Sequence, residues 1–398
     1  MDTASTPHIR LTGEELLARA RKIAPMLRER AADCAASRRI SAETMEALHD
    51  ADLFAALKPK RFGGHEIELI DFVRIVEELS RQCGSTGWVY SVLTSHAVWV
   101  ASFAEEAQRE VWDGEDRALA CSAFMPTAVA VPEKGGYRVS GKWPFASGCD
   151  FAKWALLGAL EDPKGPTPTF WATLIPMSEL AIVDDWQVLG LAGTGSKTLT
   201  GEGIFVPAHR VVRLKDASNG NTPGGALHDG PLFKCPRYSC SPYTLLAPLL
   251  GIAQGAVDDF CAVTGAKVSM GKRVAEFEGM QLKVAESDAE VDAARLMMHR
   301  NCRENIATMR RDGALTLLQR ARNRRDQAFA TRLCRSAVDR LHAASGAHGL
   351  YESSRVQRAF RDAHAAAAHF AFNWEMAAKP YGQLRLGVDI DPNDAFLL

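Results

Sequence analysis

By type and spacing, three histidines are the groups in this chain best suited to chemistry. Near the C-terminus, the stretch Arg361-Asp-Ala-His-Ala-Ala-Ala-Ala-His-Phe-Ala-Phe-Asn-Trp-Glu375 sets His364 and His369 on either side of four alanines. Alanine is the strongest helix former and presents almost no side chain. The run therefore predicts a helix whose backbone a flat ligand or another helix can approach closely. Five residues apart, the two imidazoles point to different sides of that helix, so one at most faces a given pocket. An imidazole titrates near neutrality and both donates and accepts protons, which suits it to acid–base work. The same stretch also fits a packing helix with incidental histidines. His96 poses the same choice: it lies on an apolar helical face, with Val92 four residues back and Leu93 three. A histidine there is ordinarily a core residue satisfied by the backbone.

Three blocks of chain must position these groups: 1–115, 116–235 and 236–398. In the first, Thr12-Gly-Glu-Glu15 has capping-box spacing, and Leu16, Leu17, Ala20 and Ile23 follow at helical intervals. Ser41 caps a second helix to about Leu53, and Lys58-Pro-Lys-Arg-Phe-Gly-Gly64 breaks the pattern. A third helix carries Leu69, Phe72, Val73, Val76 and Leu79 on one face, and a fourth runs from about Ser85 to Phe103. In the second block, Tyr137–Trp143 alternates apolar and polar residues, which is strand periodicity. Short apolar runs at Ala155–Leu160, Phe170–Ile175, Ala181–Val183 and Gly203–Val206 follow, bounded by Gly and Pro. No long helices separate them, so this is a compact β domain rather than a βαβ sheet. Residues 216–231 read as a polar, Gly-rich loop that covers something or links domains. The third block is helical from about Ser241 to Ala378, with breaks near Gly271, at 310–313 and at 345–349. That leaves room for four substantial antiparallel helices. The basic run Arg320–Arg325 reads as a solvated helix face.

Composition narrows the functional classes. Over 398 residues, 47 Lys and Arg against 48 Asp and Glu leave a formal charge of −1, without the basic excess of a nucleic-acid binder. Nine cysteines without a CxxC pair read as reduced thiols of a cytoplasmic protein. Cys235 and Cys240 with His228 nearby are a weak zinc signal, and no metal is expected. Met1-Asp-Thr-Ala-Ser-Thr-Pro7 lacks the character of a secretion signal, and no long uninterrupted apolar run predicts a membrane span. No GxGxxG or GxxxxGK[ST] motif is present, which argues against a Rossmann or P-loop nucleotide site.

The order helical domain, β domain, helical bundle resembles the acyl-CoA dehydrogenase superfamily along nearly the whole chain. So do Lys58–Gly64, Val139-Ser-Gly-Lys-Trp143, Leu189-Gly-Leu-Ala-Gly-Thr-Gly-Ser-Lys197 and Val206-Pro-Ala-His-Arg210. Within it, the chain is similar to the oxygenase components of two-component flavin-dependent monooxygenases, such as p-hydroxyphenylacetate hydroxylase. Trp143-Pro-Phe-Ala-Ser-Gly148 resembles that branch's flavin-contacting turn. The dehydrogenases' Thr-Glu-Pro-x-Ala-Gly-Ser-Asp loop is absent, with Cys121-Ser-Ala-Phe-Met-Pro-Thr127 in its place.

The resemblance implies an α+β fold with a β-barrel or sandwich between a helical N-terminal domain and a C-terminal four-helix bundle. It also implies that reduced FMN or FAD, delivered by a separate reductase, reacts with O2 to a C4a-hydroperoxyflavin that hydroxylates a small aromatic. On that basis His96 and Ser122 contact a phenolic substrate, Ser147 bonds near flavin N5, and His369 faces the flavin C4a edge, with His364 as the fallback. Trp143 and Phe145 supply apolar walls, and Arg273 is a phosphate candidate. A homotetramer assembled through the bundle is implied as well. Two other activities keep the same fold: N- or S-oxygenation, and acyl-CoA dehydrogenation or oxidation with Glu352, in Tyr351-Glu-Ser-Ser354, as the base. A non-catalytic scaffold is the remaining reading.

Overall fold

The computed structural model describes residues 9–269 and 271–391, so Met1–Pro7 lies outside the described residues. Five helices come first: α1 (Gly13–Ser37), α2 (Ala42–Asp50), α3 (Leu69–Gln82), α4 (Gly84–Val100) and α5 (Glu105–Trp112). Thr12 and Glu15 close the predicted capping box on α1, and the Ser41 hydroxyl accepts from the Thr44 amide to start α2. Leu69, Phe72, Val73, Val76 and Leu79 form the buried stripe of α3. α4 has no such stripe. It is buried on nearly every side, as a helix apolar all round must be.

Eight strands form one sheet: β1 (Ala120–Ala123), β2 (Val129–Glu133), β3 (Gly136–Ala146), β4 (Trp154–Glu161), β5 (Thr169–Pro176), β6 (Ala181–Val183), β7 (Lys197–Pro207) and β8 (Val211–Arg213). Their order is β6-β7-β3-β2-β4-β5-β8, with β1 also on β4. The β1 and β2 strands, too short to show periodicity in the sequence, both run parallel to β4. A register shift between Trp143 and Ala146 marks a bulge at the end of β3, and bulges of this kind re-aim side chains.

The segment read as a polar loop, 216–231, is instead the tail of a short helix, α6 (Leu214–Asn219), followed by 3-10 turns at Gly225–Leu227 and Pro231–Lys234. Thr222 and His228 in it are buried. The bundle follows: α7 (Arg237–Ala266), a small hairpin of β9 (Val268–Ser269) and β10 (Lys272–Arg273), α8 (Glu278–Asp312), α9 (Leu317–Ala344), α10 (Arg355–Ala367) and α11 (Trp374–Arg385). By length and composition α7 could cross a bilayer, but 67% of its most apolar window is buried inside the protein, as in a core helix.

Two expectations for the bundle need correction. The basic run on α9 is not a solvated face: Arg320 and Arg324 are buried, while Arg322 and Arg325 pair with Glu304 and Asp326. The helix expected through both C-terminal histidines ends at Ala367. His369 has extended backbone (φ −61°, ψ 134°) and caps a 3-10 turn at Phe370–Phe372.

Candidate active site

The fully packed helix α4 reaches all three blocks of the chain. Its Ser91 hydroxyl donates to the Thr244 carbonyl of α7, and its Trp88 indole donates to Ser147 Oγ beyond β3, at 3.1 Å. Farther along, His96 Nδ1 lies 2.6 Å from the Ala120 carbonyl of β1. Trp88 and His96 are eight residues apart, about 12 Å along the helix and about 80° apart around it. One rigid element therefore fixes the spacing of two polar groups.

His96 is buried, and among the described residues its ring bonds a carbonyl, which accepts. Nδ1 therefore carries the hydrogen, and in the neutral ring Nε2 is left with a lone pair. Burial pushes the His96 pKa down to about 4, against a smaller upward pull from the Ala120 bond. The ring is neutral at physiological pH and acts as an acceptor. Ser122 lies two residues beyond Ala120 on β1, hence on the same face of the strand and about 7 Å along it.

His369 is built the opposite way. Its Nδ1 accepts from the Ala371 amide at 3.2 Å, so the neutral ring carries its hydrogen on Nε2. Burial, then the nearby Arg324 guanidinium, pushes its pKa down to about 4. Its ring centroid lies 6.3 Å from that of Trp88, whose indole holds Ser147. His364 instead bonds Asp339 on α9 at 2.6 Å and packs on Phe360. Of the two C-terminal histidines, His369 is the one beside the Trp88–Ser147 pair.

The remaining sequence candidates separate. The β3 bulge turns Phe145 outward: it is 59% exposed, at positive φ (69°), edge-on to Trp186. Trp143 is wholly buried, with its indole donating to the Gly158 carbonyl at 2.8 Å. It props the sheet from inside and offers no face to a ligand. Arg273 is exposed on β10, bonded to the Gly265 carbonyl, while α4 meets α7 at Ile252 beside Gly84 and at Thr244 beside Ser91. Even from Ile252 the 14 residues of α7 to Ala266 span about 21 Å, so this chain does not bring Arg273 to the histidines. Glu352 lies exposed in the turn before α10. Cys235 and Cys240 adjoin each other, but His228 turns to Gln108 at 2.9 Å.

Sequence reasoning missed several residues. Trp88, which carries no chemical signal in the sequence, is buried and touches both Ser147 and His369. Ser196 and Thr194 extend from Ser147 in a line of hydroxyls, inside the quoted Leu189–Lys197 motif whose polar members had been given no role. Arg324 donates to the Ala371 carbonyl at 3.1 Å, which fixes the residue whose amide the His369 ring caps. Arg237 is buried against Val98, Ser102 and the Trp99 ring, so it ties α7 to the end of α4 that carries His96.

A reduced flavin fits this donor set. Ser147 has an oxygen that could take the N5 hydrogen, His369 has an N–H on a ring 6.3 Å from that of Trp88, and Trp88 could serve as an aromatic wall. Residues 13–113 match the acyl-CoA dehydrogenase N-terminal domain and 243–374 the acyl-CoA dehydrogenase C-terminal domain. The chain belongs to the acyl-CoA dehydrogenase superfamily, in its branch of flavin-dependent two-component monooxygenases, oxygenase component. It is 39% identical over 397 residues, 96% of this chain and 95% of the relative, to the FADH2-dependent resorcinol hydroxylase oxygenase component of Rhizobium sp. (strain MTP-10005). Among solved structures, the 3-HSA hydroxylase of Rhodococcus sp. RHA1 superposes with a TM-score of 0.91 at 34% identity, covering 95% of this chain and 98% of that one. XiaF from Streptomyces sp., in complex with FADH2 and glycerol, gives 0.86 at 27% identity, covering 96% and 97%.

Proposed function

We propose that this oxygenase component hydroxylates a small phenolic or indole-like ring, with O2 as co-substrate and reduced FMN or FAD delivered by a separate NAD(P)H-dependent reductase. The bound reduced flavin supplies O2 activation. Ser147 accepts at the N5 edge. His369 is placed to give its Nε2 hydrogen to the departing oxygen, and general-acid help of this kind contributes about 10²–10⁴-fold. His96 accepts the substrate hydroxyl at Nε2, and Ser122 orients it. The observation that carries this reading is the His96 Nδ1 bond to Ala120, which leaves the Nε2 of this buried residue as an acceptor. A phenol of pKa about 10 facing an imidazole of about 4 keeps its proton at rest. The hydrogen bond polarises the ring oxygen, and the proton moves to Nε2 only as positive charge builds on the ring. Trp88 and the packed helix α4 keep water from this step.

Two features support the wider setting. The α8 face of the bundle leaves Leu282 and Leu296 more than 60% exposed, which suits assembly of a tetramer there. All nine cysteines are free, as in a reducing cytoplasm.

The test is to mix purified protein anaerobically with reduced FMN or FAD, admit O2 with resorcinol, p-hydroxyphenylacetate or indole, and assay hydroxylated product and H2O2. Hydroxylated product from a phenol is expected. Oxidation of an amine or thioether with no product from any phenol or indole would instead make the chain an N- or S-oxygenase. A protein isolated yellow with tight FAD that bleaches on adding an acyl-CoA would transfer the chemistry to Glu352.

A further inference from the structure

The Ser147 hydroxyl heads a line of hydrogen bonds whose direction is determined at both ends. Trp88 Nε1 can only donate, and it donates to Ser147 Oγ at 3.1 Å. Ser147 Oγ and Ser196 Oγ are 2.7 Å apart, as are Ser196 Oγ and Thr194 Oγ1. Thr194 Oγ1 ends on the Leu191 carbonyl, which can only accept, at 2.7 Å. Each hydroxyl has a single hydrogen. That of Thr194 is committed to Leu191, so Thr194 must accept from Ser196. That of Ser196 is then committed as well, so Ser196 must accept from Ser147. The Ser147 hydrogen points back into the protein, and its remaining valence is a lone pair.

The far end of the line is pinned. The Leu191 amide donates to the buried Asp362 carboxylate of α10 at 2.6 Å, and Leu191 itself has positive φ (53°). Beside it, a Cβ on Gly190 would lie 2.0 Å from the Arg361 carbonyl, so only glycine lets the loop sit this close to α10. Trp88, Ser147, Ser196 and Thr194 are all buried, which shields the line from competing water.

We propose that Ser196 and Thr194 are positioning residues that hold Ser147 as a pure acceptor and so make the site select reduced over oxidised flavin. Reduced flavin carries a hydrogen on N5 and meets the Ser147 lone pair as a donor. Oxidised flavin has a bare N5, which sets lone pair against lone pair. An oxygenase fed with reduced flavin by diffusion gains from this choice, because spent oxidised cofactor is released. The inference rests on the reading that Ser147 faces N5.

The test is binding, not turnover: dissociation constants for reduced and oxidised FMN and FAD, the reduced forms under anaerobic conditions. Thr194→Val keeps shape and removes the hydroxyl, which frees the Ser196 and Ser147 hydrogens to turn. The preference for reduced flavin should fall about fivefold, the weight of one ordinary hydrogen bond. Ser196→Ala should act alike, and Thr194→Ser, which keeps the hydroxyl, should retain the wild-type ratio. If Ser147→Ala lowers the ratio while Thr194→Val and Ser196→Ala leave it intact, the relay is wrong and Ser147 still faces N5. If Ser147→Ala itself leaves the ratio unchanged, the placement of Ser147 is wrong and the relay goes with it. Loss of the preference in Thr194→Ser would also overturn it, since bulk rather than the hydroxyl would then be at work.

Discussion

His96 and His369 are the same side chain in two opposed settings. His96 stands on the rigid helix α4 and gives its Nδ1 hydrogen to a backbone carbonyl, that of Ala120. His369 stands in a turn, and its Nδ1 receives a backbone amide hydrogen, that of Ala371. Burial holds both near pKa 4, so both are neutral in use. The difference lies in what Nε2 presents: a lone pair on His96, a hydrogen on His369. A backbone group opposite Nδ1 has turned one residue type into an acceptor and a donor. The largest expected effect comes from removing either. His96→Ala should cut phenol hydroxylation by about 100-fold or more, with O2 still consumed and returned as H2O2. Its effect on indole, which has no hydroxyl, should be far smaller. His369→Ala should depress both substrates alike, since its hydrogen serves the oxygen rather than the ring. Product and H2O2 assayed side by side decide the matter. Equal loss of indole and phenol turnover in His96→Ala would erase the distinction.

The two histidines also mark how much was legible beforehand. His96 could be placed because α4 is long and apolar, so a histidine within it is enclosed by packing. The tautomer could not be read, because the Ala120 carbonyl is contributed by a four-residue strand too short to show periodicity. His369 was placed on a continuous helix because its alanines are strong helix formers. The helix ends at Ala367, and the imbalance was local: His369 caps the next turn with its own side chain, a side-chain bond that propensity does not count. The domain order was readable because capping and periodicity agree over long segments. Trp143 and Phe145 went to opposite fates because a bulge shifts the alternation between them. Arg320 and Arg324 looked solvated because a run of arginines carries no sign of which members tertiary packing will bury.

A middle-sized effect concerns acid. An ordinary imidazole takes up its proton near 6.5, and His96 in the folded chain near 4. Between those values the unfolded chain binds a proton that the native one refuses. The stability from the neutral ring is therefore complete above about pH 6.5 and is lost as pH falls toward 4, by about 3 kcal/mol in all. His96→Gln removes the titration, so urea unfolding at pH 7 and pH 4 should differ by about 3 kcal/mol less in the variant than in the parent. An unchanged difference would mean that His96 is not held neutral, and the contrast with an ordinary surface histidine would collapse.

The smallest effect separates the two sites by their surroundings. Arg324 reaches His369 twice: it donates to the Ala371 carbonyl at 3.1 Å, and its charge disfavours a second charge on the ring. Nothing equivalent acts on His96, where burial alone lowers the pKa. Arg324→Met keeps length and removes charge. In an NMR titration of the ring Cε1–H signals, the His369 midpoint should rise part of the way toward 6.5, because burial remains the larger cause. His96 should not move. At pH 7.5 both rings stay neutral, so hydroxylation should fall by less than about fivefold, the weight of one hydrogen bond lost beneath Ala371. Near pH 5.5 the loss should grow, because a protonated His369 has no lone pair left at Nδ1 for the Ala371 amide and the turn loosens. A shift of both midpoints together would show one shared environment rather than two. A shift of neither would leave the Ala371 carbonyl as the only tie between Arg324 and His369.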